Sequence, residues 1–455
     1  MSQQSQRHLR RHILAAATLA AVAVPGFAAE RVNLSSLDPN RPVEGFIIAY
    51  KSGSPGKAAD FQRRLDIAVG ALGKRSLSIK HARSVSTGAE LVETSRPLDV
   101  AEATTLMQHI AADPNVEYVE PNSIFHPALT PNDTNYPSQW GLHGTWGIRA
   151  NTGWDNGYQG QGEVIAVLDT GITNHPDLIA NLTTPRGYDF ISNAATANDG
   201  GGRDSDPSDP GDWCSPNPSS WHGTHVTGIA AAVTNNATGV AGTAFRAKVL
   251  SARVLGKCGG TLVDIADAIT WASGGVVAGV PAVGANKAGV INLSLGGGGA
   301  CSSTFQTAIN GAVSRGTTVV VAAGNSNADA RNFQPASCAN VITVGATTSA
   351  GARASFSNHG PAVDVAAPGV SILSTLNSGT TTPGAASYAN YSGTSMAAPF
   401  VAGIVALMRS KPAAAPSPAG IESIIKANVT PFPIPPVPPI GTGIANADAA
   451  TDATP

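Results

Sequence analysis

The strongest constraint on this chain is a series of short, continuous apolar runs that alternate with helix-forming stretches from Gly162 onward. The runs are Glu163 to Leu168, Lys248 to Leu255, Gly289 to Gly297, Thr317 to Ala323, Val341 to Gly345 and Val363 to Ala367. Runs apolar on both faces suit strands covered on both sides, as in the centre of a parallel sheet. Thr261 to Ser273, Cys301 to Ser314 and Met396 to Met408 have helical character between or after them. The alternation predicts an α/β domain with a central, mostly parallel sheet between helical layers. Gly (50) and Pro (32) are abundant, yet 42% of residues are hydrophobic, which implies a packed core with many tight turns.

In open α/β sheets, functional groups gather beyond the carboxyl ends of the strands. Asp169 closes the first run and is followed by Thr170-Gly171. By itself it is either a turn residue or an active-site carboxylate. A loop with Asp199, Asp204, Asp206, Asp209 and Asp212 follows. It lacks the glycine and final glutamate of an EF-hand, so it reads either as a calcium site or as a solvated acidic loop. His222 opens a helix in His222-Gly223-Thr224-His225-Val226, with no glutamate between the histidines, which argues against the zinc spacing His-Glu-x-x-His. His222 is expected to be exposed for chemistry, and His225, one turn in, to be a buried structural histidine. Ser294-Leu295-Gly296-Gly297 ends a strand in glycines, which suits close approach of an extended peptide. Asn325 lies beyond the strand ending at Ala323 and is either a turn residue or an amide donor aimed at an oxyanion. Gly393-Thr394-Ser395-Met396-Ala397-Ala398-Pro399 delivers a serine to a helix start, where it is either an N-cap or a nucleophile beside the positive end of the helix.

The first part of the chain differs. Arg7, His8, Arg10, Arg11 and His12 precede an apolar run from Ile13 to Val24, and Pro25-Gly26-Phe27-Ala28-Ala29 follows. This pattern predicts a Sec-type signal peptide over 1–28, cut near Ala28. Residues 29–129 carry no cysteine. Strands are expected at 45–50, 89–94 and 116–120, and helices at 58–72 and 100–111, which makes a small α+β sandwich with antiparallel pairing. Pro121, Pro127 and Pro131 mark a linker in which the chain is expected to be cut. No later stretch reads as a membrane span. A net charge of −2 excludes a polycationic surface for nucleic acid. Four cysteines (Cys214, Cys258, Cys301 and Cys338) in an exported chain permit two disulfides in three possible pairings. No internal repeat or added C-terminal domain is visible.

Asp169, His222, Asn325 and Ser395 supply an orienting carboxylate, a base, an oxyanion donor and a nucleophile, each at a strand end or helix start. Their order, Asp…His…Ser, is that of subtilisin, and no Gly-x-Ser-x-Gly elbow surrounds Ser395. Here the chain resembles the subtilases, the subtilisin-like serine peptidases, and most nearly their secreted bacterial members. The resemblance rests on Val167-Leu168-Asp169-Thr170-Gly171-Ile172, His222 to Val226, Asn292 to Gly297, Ala322-Ala323-Gly324-Asn325 and Gly393 to Pro399. It covers about residues 130 to 450.

The resemblance implies a three-layer subtilisin-like domain over 130–455, with an inhibitory propeptide before it that also acts as a folding chaperone. It implies a catalytic triad of Asp169, His222 and Ser395, with Asn325 and the Ser395 N–H holding the oxyanion. Ser294, Leu295 and Gly296 would pair with the substrate backbone. It further implies structural Ca2+ at Asp133, Asp177, Thr234, Asn236, Thr238 and Val240, with Asp364 at a weaker site. The disulfides, resting partly on it, are expected to join Cys214 with Cys258 and Cys301 with Cys338. The activity implied is that of a secreted, monomeric endopeptidase made as a zymogen, which degrades proteins broadly and has no membrane anchor. A peptide-binding protein of the same fold would need a broken triad, and no member is missing. A narrow processing or peptide-cyclising enzyme is the other competitor.

Overall fold

The computed structural model describes residues 31–34, 37, 42–51, 59–71, 77–123, 129–411 and 415–455. The expected signal peptide and most of the expected linker lie outside them. The chain divides into two compact units, one ending at Ile124 and the other beginning at Phe125.

The first unit follows the order β1 (Val43–Tyr50), α1 (Ala59–Ala71), β2 (Ile79–Ser84), β3 (Glu90–Leu98), α2 (Val100–Ala111) and β4 (Val116–Pro121). Its sheet has the order β2-β3-β1-β4, and every pairing is antiparallel. Leu65 and Val69 of α1 and Leu106 and Ile110 of α2 cover Phe46, Ile48 and Val92 of the sheet. Asp99 caps α2 by accepting from the Glu102 N–H at 2.8 Å, which satisfies one of the helix's free donors. Strand β2 is absent from the sequence reading. Only Ile79 of its six residues is buried, so it carries no apolar alternation.

The second unit is built on β5 (Val164–Asp169), β6 (Leu182–Asp189), α3 (His222–Ala231), β7 (Lys248–Arg253), α4 (Leu262–Ala272), β8 (Val290–Leu293), α5 (Ser303–Ser314), β9 (Thr318–Ala322), β10 (Ile342–Thr347) and β11 (Val365–Pro368). A hairpin of β12 (Ile372–Asn377) and β13 (Ala386–Tyr391) follows, then α6 (Thr394–Arg409), α7 (Pro418–Ala427) and α8 (Ala447–Asp452). Seven strands form one sheet of order β11-β10-β9-β8-β5-β7-β6, parallel at every pairing. Alternate residues feed two apolar layers. Ile165 and Val167 of β5 face the cluster that holds Val401, Val405 and Val226, whereas Ala166 and Leu168 face Ile265, Ile269 and Phe305. Helices α3 and α6 therefore cover one face and α4 and α5 the other, which is the expected three-layer arrangement. The chain leaves β5 on one side of the sheet for β6 and β7, then crosses to β8 on the other. The strand order thus reverses at the carboxyl end of β5, where open α/β sheets place their sites.

Candidate active site

Asp169 is the last residue of β5 and is 1% exposed. Its Oδ1 accepts from the Thr170 N–H at 2.8 Å and lies 2.7 Å from His222 Nδ1. His222 begins α3, and its neighbour Gly223 donates its N–H to Thr170 Oγ1 at 3.0 Å. A Cβ on Gly223 would fall 2.2 Å from the Gly171 carbonyl oxygen. Glycine at 223 therefore lets α3 start directly on the Asp169–Gly171 turn. Burial lowers the His222 pKa, but the charge and hydrogen bond of Asp169 outweigh it, helped by Asp212 and Asp209, and the net shift is upward.

His225 is fully buried and stacks on Tyr391 with ring centroids 4.6 Å apart, and its Nε2 lies 3.0 Å from the Ala389 carbonyl. Burial pulls its pKa down to about 3, so it stays neutral and structural.

Ser395 is the second residue of α6, the 16-residue helix that forms the centre of one layer. Its hydroxyl donates to the Ser294 carbonyl at 3.2 Å, and not to His222. The Ser294 hydroxyl donates to the Ser395 carbonyl at 2.8 Å and accepts from Asn292 Nδ2 at 2.9 Å. The Ser294 side chain is thus buried beneath the serine, while Leu295 is half-buried and Gly296 is exposed. Of the three residues expected to meet substrate, only Leu295 and Gly296 present an open edge.

Asn325 is exposed, and its Oδ1 accepts from the Thr394 N–H at 2.8 Å and from Thr394 Oγ1 at 3.0 Å. Those bonds direct Nδ2 away from Thr394. A methyl group placed on Gly393 would sit 3.5 Å from Asn325 Nδ2 and 3.6 Å from the Ser395 nitrogen. The two donors therefore flank one small space at the positive end of α6. Asn358 holds this loop by accepting from the Ser326 and Ala328 N–H groups and donating to the Ala323 carbonyl. The sequence reading omits Asn358 and names Thr394 only within the stretch that carries Ser395, with no role of its own, because an isolated polar residue carries no periodic signal.

Two disulfides join Cys214 with Cys258 and Cys301 with Cys338. The first ties the acidic loop to the loop after β7. In that acidic loop Asp199 pairs with Arg253 at 2.9 Å. Asp204, Asp206 and Asp209 each accept the N–H two residues ahead, which is the geometry of Asx turns. Among the described residues, no three Asp, Glu, His or Cys converge as a ready metal cluster. The loop's carboxylates shape turns and ion pairs.

For the other candidate calcium ligands the fit is mixed. Asp177 is fully buried; it accepts from Asn236 Nδ2 at 2.7 Å and from the Val240 N–H at 2.8 Å. Asp133 is 2% exposed, and its Oδ1 is buried with no partner. Burial raises the Asp177 pKa, and the charge of Asp133 adds to it. Two buried carboxylates that repel each other, one with an orphaned oxygen, suit a hard cation. Thr234, Thr238 and Val240 lie on the adjoining turn, where Thr238 donates its N–H to Asn236 Oδ1 at 2.8 Å. Asp364 does not fit. Its oxygens accept from Lys426 Nζ at 2.8 Å and the Thr343 N–H at 2.9 Å, so an ammonium already neutralises it.

A parallel α/β sheet with an Asp–His pair at its switch point and, beyond the carboxyl end of neighbouring β8, a serine at a helix N-terminus beside an amide donor is the frame of a subtilisin-like hydrolase. The chain belongs to the subtilase family, the S8 peptidases, whose family model matches residues 160–437. It is 55% identical over 458 residues to an extracellular protease of Xanthomonas campestris pv. campestris, covering 97% of this chain and 78% of that protein. It is 45% identical over 396 residues to an extracellular basic protease of Dichelobacter nodosus, covering 84% of this chain and 65% of that protein. A solved protease structure from Pseudoalteromonas arctica superposes with a TM-score of 0.69 at 50% identity, covering 72% of this chain and 100% of the other. The protein is a subtilisin-like serine protease, a hydrolase of peptide bonds.

Proposed function

We propose that the chain is made as a secreted zymogen: a signal peptide over 1–28, an inhibitory and folding-assistant propeptide over 29–129, and an endopeptidase over 130–455. In this reading Ser395 is the nucleophile. Its hydroxyl turns from the Ser294 carbonyl to His222 Nε2, gives up its proton, and attacks the substrate carbonyl carbon. Asp169 holds the Nδ1–H side of the ring and stabilises the imidazolium. The oxyanion accepts from Asn325 Nδ2 and the Ser395 N–H. The intermediate collapses to an acyl-enzyme as His222 protonates the leaving amine, and a water deprotonated by His222 then frees the acid. Leu295 and Gly296 pair with the extended substrate, and their open, glycine-lined edge favours broad protein degradation. Asp133 and Asp177, with Asn236 and the carbonyls of Thr234, Thr238 and Val240, would hold a structural calcium ion. The names of the relatives support export.

One observation carries this reading: the 2.7 Å pair of Asp169 and His222 stands at the carboxyl end of β5, and Ser395, bonded to Ser294, and Asn325 stand beyond the carboxyl ends of β8 and β9 in the same sheet. Mass spectrometry of the secreted wild type and of Ser395→Ala tests it. The wild type is expected to lose its sequence up to about residue 129 and the mutant to keep the propeptide. Equal trimming of both, with no hydrolysis of casein by the wild type, would sink it.

A further inference from the structure

The turn that carries His222 is held from two sides by groups that the mechanism above leaves unused. Trp221, just before the helix, has φ 51° and ψ 31°. A bulky residue keeps that left-handed conformation only where its surroundings enforce it. On one side stands Asp212. Its Oδ1 accepts from the N–H groups of Ser220 at 2.7 Å and Trp221 at 3.3 Å, and its Oδ2 accepts from the Ser220 hydroxyl. On the other side stands the β12–β13 hairpin. Trp221 Nε1 donates to the Gly379 carbonyl at 2.7 Å, the Ser219 N–H donates to the Thr380 carbonyl at 2.7 Å, and the Tyr391 hydroxyl donates to the Ser220 carbonyl at 2.8 Å. The hairpin also donates from Ser374 and Thr375 to the His225 and Thr224 carbonyls of the helix. Asp212 alone takes the two successive N–H groups that lead into His222.

We infer that Asp212 is a positioning residue for the reaction: its carboxylate locks the turn from which the His222 ring hangs and places a second negative charge behind that ring. The inference rests on His222 acting as the base. The charged and titratable groups near His222 and its turn come from four elements: Asp169 on β5, Asp209 and Asp212 on the acidic loop, His225 one turn along α3, and Tyr391 on β13, whose hydroxyl pKa is raised by burial and by the charge of Asp212. Arg253 at the end of β7 acts on Asp209 and is itself paired with Asp189 and Asp199. After Asp169, Asp212 is the strongest of the anions that favour the imidazolium, ahead of Asp209.

The clamp and the charge separate experimentally. Asp212→Asn keeps an amide oxygen where Oδ1 accepts its two N–H groups, but removes the charge. In peptide hydrolysis by enzyme expressed from the full chain, its plateau kcat is expected to stay within about threefold of wild type. The acid limb of kcat/KM, which reports the free enzyme, is expected to move to lower pH by about half a unit or more, because the imidazolium loses an anion. Asp212→Ala also loses the acceptors, and its plateau kcat is expected to fall about tenfold or more with KM within about twofold. A merely structural role would lower yield and melting temperature and leave the limb in place. An unmoved limb in Asp212→Asn, or wild-type kcat in Asp212→Ala, overturns the inference; if Asp212→Ala yields no mature enzyme, Asp212→Asn decides alone. Wild-type turnover in His222→Ala would instead remove the triad reading itself.

Discussion

At the scale of single residues, the resting serine is parked. Its hydroxyl faces the Ser294 carbonyl, and the Asn292–Ser294–Ser395 chain of hydrogen bonds fixes the backbone from which it swings. Catalytic hydrogen bonds are often long or misaligned before substrate binds, so this geometry is compatible with the triad mechanism. In the proposed mechanism Asn325 contributes differently: its oxygen is tied to Thr394, and its nitrogen would donate to the oxyanion. Asn325→Ala is expected to fold normally and to lose about 10²–10³ in kcat with little change in KM, the loss established for the matching donor of subtilisin itself. Steady-state kinetics on a peptide substrate check this; unchanged kcat would remove the role. The upward shift of His222 also has a sign. Only the neutral imidazole can accept the serine proton, so activity is expected to fade as pH drops through a midpoint above the ordinary histidine value of about 6.5. The linked stability runs the other way. It is fully present below the unfolded value and is lost as pH rises through the raised folded one. These residues were legible in the sequence because each chemical type stands at a strand end or helix start in a specific order. The supporting Asn358, Thr394 and Tyr391 were not, because their role depends on which carbonyls the fold brings near them.

At the scale of elements, the sequence reading located the buried strands within a few residues and missed the exposed ones for one reason. Strands β5, β7, β8, β9, β10 and β11 are covered on both faces and read as apolar runs. Strand β6 is an edge strand interrupted by Pro185 and Arg186, with three exposed residues in its middle. The β12–β13 hairpin is rich in Ser, Thr, Asn and Ala and has no alternation to detect. Yet the hairpin binds His175, His225 and the His222 turn before leading into Ser395. The acidic loop was visible as a charge run, but its division into Asx turns, an Arg253 partner and a clamp on the His222 turn was not. Within it Asp209 is an outlier. It is 2% exposed, its Oδ2 has no partner, and burial with the nearby Asp212 pushes its pKa up to about 7. A folded pKa raised above the unfolded carboxylate value costs stability as pH rises from that unfolded value, about 4, to about 7, because the unfolded chain ionises first and the folded one must bury its charge to follow. Asp209→Asn keeps an acceptor for the Gly211 N–H and removes that charge. Its melting temperature is expected to exceed wild type by roughly 2 °C or more at pH 8–9, and the gap to shrink as pH falls and to close near pH 4, which calorimetry across that range resolves.

At the scale of the whole molecule, the resemblance to subtilases carried fold class, pairing of cysteines and activity together, because motifs dispersed from Val167 to Pro399 make sense only when one sheet gathers them. Calcium is where resemblance and physical fit divide. Asp364 has an ammonium and needs no metal, whereas Asp133 and Asp177 are buried, repel each other and leave an oxygen unsatisfied. A cation between them would supply the missing charge. The Tyr388 hydroxyl of the β12–β13 hairpin also donates to Asp177, at 3.3 Å. A ligand that binds only the folded state stabilises it by RT ln(1 + [L]/Kd), about 2.7 kcal/mol at a hundredfold excess over Kd. Chelation is therefore expected to lower the melting temperature of an inactive Ser395→Ala chain, chosen so that self-digestion does not obscure the transition. Added calcium should restore it. Asp177→Asn should melt lower than its parent and respond to neither treatment, since one of the two anionic ligands is gone. A parent chain whose melting is indifferent to chelator would leave Asp133 and Asp177 as a strained, unfilled pair. The Asp177→Asn change would then stabilise the fold by relieving their repulsion, the opposite of the expected direction.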